Sequence, residues 1–353
     1  MIHIKEGLVV KILKNHDNAV EVLVNINEKN YKAIAYPLIT GKVSLGDSVI
    51  LNTTAVDLNL GTGGYHFVIF NKSYNTISPY TNGHIMKLKY TPMQIKNLTV
   101  EEQYPEIIDS FESLNGMPII TGTIHSMLPA VAAVIKSIMN NCKIAYIMTD
   151  GGALPIGFSH TVRDLKKKAI IDCTITCGNA FGGDFETLNL YTALIAAKKI
   201  AKADAIIIIM GPGHAGTGTK YGFTGMEIAN NAHVISSLGG VPICIPRVSF
   251  ADKRKRHYGI SHHYLTAIAF HCLVSCEIAF PLFSESKKNY IMNQYKKVNL
   301  DKKHRIHFLE EDTLSIMKKN QLYIKTMGRT MDEDPYFFKT AGACAVLLTK
   351  LLS

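Results

Sequence analysis

Residues 205–210 read AIIIIM, and GPGHAGTGT (211–219) and KYGFTG (220–225) follow directly. The apolar run is short and isoleucine-rich, which suits a strand buried on both faces of a parallel sheet. The next nine residues hold four glycines, so backbone N–H groups stand free of side chains, as in loops that hold phosphates and other anions. This pairing of buried strand and glycine-rich loop predicts an α/β fold with its site at a strand end.

Outward from that stretch the pattern repeats. Strands are expected at 118–123, 143–148, 169–176 and 241–245. Helices are expected at 128–139, 161–168, 185–202 and 226–238, and alternation of this kind means βα units and a mostly parallel sheet with right-handed crossovers. The segment 265–274 is apolar enough for helix or strand, and 284–304 is lysine-rich and reads as a surface excursion. A helix near 313–325, a loop at 327–334 and a final helix opening at Pro335 complete the chain.

The first 70 residues differ. Short β-rich runs at 8–13, 20–26, 31–36 and 48–51 alternate with turn-prone clusters at 15–18 and 45–47, which predicts a small barrel of the SH3 or OB type. GTGGYHFVIF (61–70) reads as a tight turn and a strand. Residues 71–116 form a connector, with a turn at 80–83, a capping box from Thr99 to Glu102 and a stop at Asn115-Gly116. The expected organisation is a small β-barrel-like unit (1–70), the connector (71–116) and a three-layer α/β domain (117–353).

Composition narrows the class. With 47% apolar residues the chain is globular, and a formal charge of +10 accompanies basic clusters at 166–168, 253–256 and 287–303. A nucleic-acid surface competes there with a plain solvated exterior. Apolar runs fall well short of the roughly 18–20 residues of a membrane span. Lys5, Glu6 and Lys11 interrupt the first residues, with no secretory h-region, so a cytoplasmic protein is expected. The seven cysteines lie in apolar segments and are expected to be buried reduced thiols. Cys173 and Cys177 on one strand would stand about 13 Å apart, too far to share a metal.

Polar groups gather at the carboxyl ends of the expected strands, where open α/β sheets bind ligands. His125, Asp150, Asp184 and His263 are the candidate catalytic residues. Asp150 and Asp184 are also the candidate ligands for Mg²⁺ or Mn²⁺, against plain turn and capping roles. Gly211, Gly213, His214, Gly216, Thr217, Gly218 and Thr219 are expected to cradle phosphate. Arg247, Ser249, Arg254, Arg256 and His257 lie in PRVSFADKRKRHYGISHH (246–263), where arginines can grip phosphate and Asp252 can orient one of them. Adjacent histidines on a helix diverge by about 100°, so one of His262 and His263 is expected to face the site.

Two standard signatures fail. GPGHAG matches G-x-G-x-x-G, but further turn residues delay the helix and residues 228–240 hold no acid. The nearest P-loop frame ends Thr219-Lys220, with hydroxyl and amine in the wrong order. A G-x-S-x-G nucleophile elbow is absent.

Taken together, GTGGYHFVIF, YIMTDGGALP, GNAFGGDFE, MGPGHAGTGTKYGFTG and PRVSFADKRKRHYGISHH resemble an uncharacterised bacterial family described as a domain of unknown function. The resemblance covers nearly the whole chain and implies no activity, substrate or catalytic residue. The functional expectation therefore rests on the residues. It is an enzyme acting on a phosphorylated or nucleotide-like small molecule, by phosphoryl transfer or phosphoester hydrolysis. An NADP-dependent oxidoreductase, with Arg247 and Ser249 at the 2′-phosphate, and a non-catalytic nucleotide- or nucleic-acid-binding protein are the alternatives.

Overall fold

The computed structural model of the chain describes residues 1–61, 63–73 and 82–353. Thr62 and part of the expected turn at 80–83 lie outside them. Among the described residues, β1 (Ile4–His16), β2 (Ala19–Ile26), β3 (Lys29–Ala35), β4 (Ser48–Asn52) and β5 (His66–Asn71) close a barrel in the order β1-β2-β3-β5-β4. β3 and β5 run parallel and their other pairings are antiparallel. Of the two barrel types expected, this order is the OB one. Val20, Val22, Val24 and Ile26 alternate inward along β2 and pack on Val9, Val49, Leu51 and Val68. Gly7 is required where β1 crosses β2, because a Cβ there would stand 2.5 Å from Val24 Cγ1 and 2.8 Å from Asn25 O.

The barrel docks through its β1–β2 turn. Asn18 Nδ2 donates to Gly182 O at 2.7 Å, and the Asn18 carbonyl fills the space a Cβ on Gly157 would need. Beside it Glu21, 2% exposed, accepts from Tyr65 Oη at 2.9 Å and faces Arg163 Nη2 at 3.3 Å. Ile34 and Tyr36 of the barrel pack with Phe67 and Phe158.

The connector carries a hairpin not foreseen from sequence, β6 (Ile85–Lys87) and β7 (Ile95–Asn97). The Thr99–Glu102 capping box is present.

Beyond it, and among the described residues, eight strands make one all-parallel sheet. They are β8 (Pro118–Gly122), β9 (Ile144–Met148), β10 (Cys173–Cys177), β11 (Phe185–Thr187), β12 (Ala205–Ile209), β13 (Val241–Cys244), and the later β16 (Glu277–Pro281) and β17 (Arg305–Leu309). Their spatial order is β11-β10-β9-β12-β8-β13-β16-β17. Between β13 and β16 a two-residue pair, β14 (Val248–Ser249) and β15 (Gly259–Ile260), closes the 246–261 loop. β8, β9 and β12 are buried along their whole length, as two-sided packing demands.

Alternate residues of β12 serve opposite faces. Ile207 and Ile209 pack with the Leu128–Ile138 and Pro335–Leu352 helices, while Ile206 and Ile208 pack with the Leu190–Ile195 and Glu227–Ser237 helices. The result is three layers.

Two expectations are corrected here. Residues 185–202 are not one helix. Phe185–Thr187 pairs in parallel with Ile175–Cys177 as edge strand β11, and the helix starts at Leu190, capped by Asn189. Segment 284–304 is not merely a surface excursion, since Ile291, Tyr295 and Leu300 are buried in a core cluster with Phe280.

Candidate functional site

β8 lies beside β12, and their following connections leave on opposite faces: β8 leads to Leu128–Ile138, β12 to Glu227–Ser237. That divergence opens a crevice at the carboxyl ends, the usual ligand position in open α/β sheets. The loop after β12 enters it with His214, and the loop after β13 enters it with Arg247 and the histidines of 257–263. A cavity of 360 Å³ opens beside them, lined by Ser126, Thr161, Gly213, His214 and Lys325 among others.

Three histidines converge. One ring nitrogen from each of His257, His262 and His263 lies within 4.8 Å of the other two. Both adjacent histidines therefore take part, contrary to the helical projection. The helix only begins at His262, and the His257 ring meets both, at centroid distances of 5.0 and 4.9 Å. His263 stacks on Phe223 at 4.0 Å, which fixes its plane, and His214 stands 5.8 Å from it.

Hydrogen bonding sets the state of His257. Arg256 Nε donates to its Nε2 at 3.4 Å, so Nε2 carries the lone pair and Nδ1–H donates to Ser261 Oγ at 2.7 Å. His262 Nε2 and both nitrogens of His263 are buried and have no partner among the described residues. Burial and then the Arg247 and Arg254 charges push His257 down to about 3. Burial and the neighbouring His262 and His257 push His263 to about 3 as well. Burial and Arg247 hold His214 at about 4, against the pull of the Thr123 carbonyl. These imidazoles are neutral at physiological pH.

Arg247 supplies the charge. It is 5% exposed, Nη2 has no hydrogen-bond partner among the described residues, and its nearest carboxylate, Asp252, is 3.6 Å away. Asp252 is already engaged, accepting from Arg254 Nε at 3.0 Å and Nη2 at 2.8 Å, and facing Arg329 at 3.6 Å.

Several expected site residues are placed otherwise. Asp184 and Asp150 do not share a metal position. Because β11 runs parallel to β10, the chain must return to the start of β10, where Asp184 accepts from Thr174 N at 2.8 Å and pairs with Lys166 at 2.5 Å. Asp150 stays at the other end, accepting from Asn179 N at 3.0 Å. From Thr174 to Cys177 alone the strand covers about 10 Å.

His125 is buried with both nitrogens occupied. Nδ1–H donates to Met210 O at 3.1 Å and Nε2 accepts from Ser159 Oγ at 2.7 Å, so it braces the β12 end and has no nitrogen free for substrate.

Residues 215–224, which include the end of the 211–219 loop, form a hairpin. Gly216 bridges Phe223, Thr217 Oγ1 donates to Gly222 O at 3.0 Å, and Gly222 N donates to Thr219 Oγ1 at 3.0 Å. The threonines thus hold the loop itself, and Gly213 and Gly218, at φ 105° and 84°, let it fold. Gly211 is buried against Ala153, and the Gly218 carbonyl accepts from Arg256 Nη1 at 3.4 Å. Ser249 is also structural: its hydroxyl donates to Asp334 at 2.8 Å and accepts from the Ala251 and Asp252 amides.

One residue escaped sequence reading. Glu227 opens the helix after the hairpin, where it looks like an ordinary first-turn acid. Its carboxyl accepts from Thr149 Oγ1 at 2.8 Å, and Oε2 would stand 2.4 Å from a Cβ on Gly151. Burial, with the Asp150 charge adding, pushes it up to about 7.

Residues 32–345 match the sequence profile described as a protein of unknown function, DUF3866. The chain belongs to this family. The DUF3866 match runs from β3 of the barrel into the last helix, so it takes in every residue of the crevice. No curated protein matches the chain. Among the described residues, no helix is long and apolar enough to cross a membrane.

Proposed function

We propose that the protein is an enzyme acting on a phosphate-bearing small molecule, by phosphoester hydrolysis or phosphoryl transfer. The observation that carries this reading is Arg247, a buried guanidinium with an unpartnered nitrogen and a carboxylate it must share. Around it Arg254, Arg329 and Arg256 bring more positive charge than Asp252 and Asp334 balance. A buried cation in such surroundings favours an anion with several acceptor oxygens, and phosphate meets a guanidinium fork well. Neutral histidines alongside keep ring lone pairs available to bind a metal.

The alternatives lose ground on local geometry. An NADP fingerprint needs a helix at its glycines, whereas 215–224 is a hairpin, and the Ser249 hydroxyl is already bound to Asp334. An OB barrel reading nucleic acid uses its β1–β2 loop, and here that loop is docked on Gly157 and Gly182.

A thermal-shift screen of inorganic phosphate, phosphorylated metabolites and nucleotides tests the proposal. A ligand at tenfold its Kd stabilises by about 1.4 kcal/mol. Stabilisation should vanish in Arg247→Met. If no phosphate compound stabilises the wild type at millimolar concentration, the reading fails.

A further inference from the structure

We propose that His257, His262 and His263 form a binding site for one transition-metal ion of the zinc class. The inference concerns the same crevice and deepens the reading above, but it stands on different atoms. Zinc bound by imidazole sits at about 2.0–2.1 Å, which places ligand nitrogens roughly 3.4 Å apart in a tetrahedral site. The three nitrogens here, within 4.8 Å of one another, reach that spacing by small ring movements.

Two independent features favour a metal over simple packing. His262 Nε2 and both His263 nitrogens are buried polar atoms with no partner among the described residues, a costly arrangement, and a shared cation would take up His262 Nε2 and one of the His263 nitrogens. The His257 tautomer is set for ligation, with the lone pair on Nε2 and Nδ1–H anchored on Ser261 Oγ, the outer-sphere bond that metal-binding histidines make. The Arg256 N–H that meets Nε2 sits on an exposed side chain, free to yield the lone pair to a cation. Ser261 does double service, since its Oγ also accepts from His263 N at 3.3 Å and so sets the start of the helix carrying two of the ligands.

An all-imidazole set selects Zn²⁺, Co²⁺, Ni²⁺ or Cu²⁺ over the hard ions Mg²⁺ and Ca²⁺, which prefer oxygen. With three protein ligands a coordination position stays open, the mark of a catalytic rather than a structural zinc site. The nearby arginines oppose a bare dication, and this predicts coupling. An anion in the crevice should tighten metal binding, and the metal should tighten the anion by the same factor.

The test uses untagged full-length protein, stripped with chelator and titrated with Zn²⁺ and with Co²⁺ alone. One equivalent should bind, and Co²⁺ should give the intense visible bands of a tetrahedral nitrogen site. His262→Gln/His263→Gln should abolish the bound equivalent while retaining the wild-type circular dichroism spectrum. Ser261→Ala should weaken binding about 10–100-fold, and His84→Gln, at an exposed histidine of the connector, should not change it. If stripped wild type binds neither ion, or the double variant binds as wild type does, the metal site is refuted. Phosphate titration of the stripped protein is read separately. Phosphate binding without metal binding sinks this inference alone, and metal binding without any phosphate compound binding sinks the functional reading alone.

Discussion

Lys87 Nζ lies 2.6 Å from Glu186 Oε2, and both side chains are shielded from water. The lysine comes from the connector hairpin and the glutamate from edge strand β11, so the pair pins one to the other. Lys87 also donates to the Ala180 and Thr176 carbonyls, and Thr176 Oγ1 and Gly182 N donate to Glu186. Breaking one side of such a pair leaves a buried charge, at a cost of about 3–5 kcal/mol. Lys87→Met should show that loss in urea unfolding, and Lys87→Met/Glu186→Leu should recover much of it. A single variant within 1 kcal/mol of wild type would falsify the assigned role.

Glu227 makes stability pH-dependent in an unusual sense for an acid. Its native carboxyl titrates near 7, above the ordinary glutamate value, because burial penalises the charged form. The native state therefore holds more protons than the unfolded chain between the two values, and stability falls as pH rises through that window. The full cost, on the order of 3 kcal/mol, is present above the native pKa. Glu227→Gln should be more stable than wild type at pH 8 and equal to it near pH 4, measured by denaturant titration across pH.

Asp252 is the counter-ion that lets Arg247 stay buried. Asp252→Asn should cost about 3–5 kcal/mol by leaving that guanidinium uncompensated. Arg254→Ala removes a cation whose side chain is half exposed, and should cost no more than about 1 kcal/mol. The ordering of the two midpoints in urea decides the matter. Equal losses would mean that the surface pair, not Arg247, is what Asp252 serves.

Asp150 lines a pocket with Lys87 and Asn179, and Asp184 is held by Thr174 and Lys166, so neither carboxylate is bonded to the three histidines. Asp150→Asn and Asp184→Asn should leave zinc and phosphate stabilisation unchanged in thermal-shift titrations. Asp184→Asn should lower intrinsic stability by about 1 kcal/mol, through weaker bonds to Thr174 and Lys166.

Much of the architecture was legible because two-sided burial writes itself as short apolar runs. AIIIIM, and the alternating valines of 20–26, could hardly be anything else. β11 was not legible: three residues at a sheet edge carry little pattern, and Leu188, Leu190, Leu194 and Ile195 pulled the segment into one helix. That misreading moved Asp184 to the wrong end of β10 and created a metal pair that parallel pairing forbids. β17 was hidden similarly, since RIHFL follows a lysine-rich stretch and alternates only weakly. In the crevice, histidine and arginine content marked 247–263 as rich in chemistry. Which histidines meet depended on where a helix starts, and which threonines are free depended on a hairpin. Neither is written in spacing.

The strand order also dictates when the crevice can exist during folding. The barrel is assembled from neighbours within the first 71 residues, so its contacts are local and can form early. β8, by contrast, is flanked by β12 and β13, which follow it by the better part of a hundred residues or more. A ribosome-bound chain that has emerged only as far as residue 200 has a finished barrel and a central strand with neither lateral partner. Its exposed β8 edge is the segment most in need of protection from aggregation until β12 and β13 arrive, and the histidines of 257–263 emerge later still.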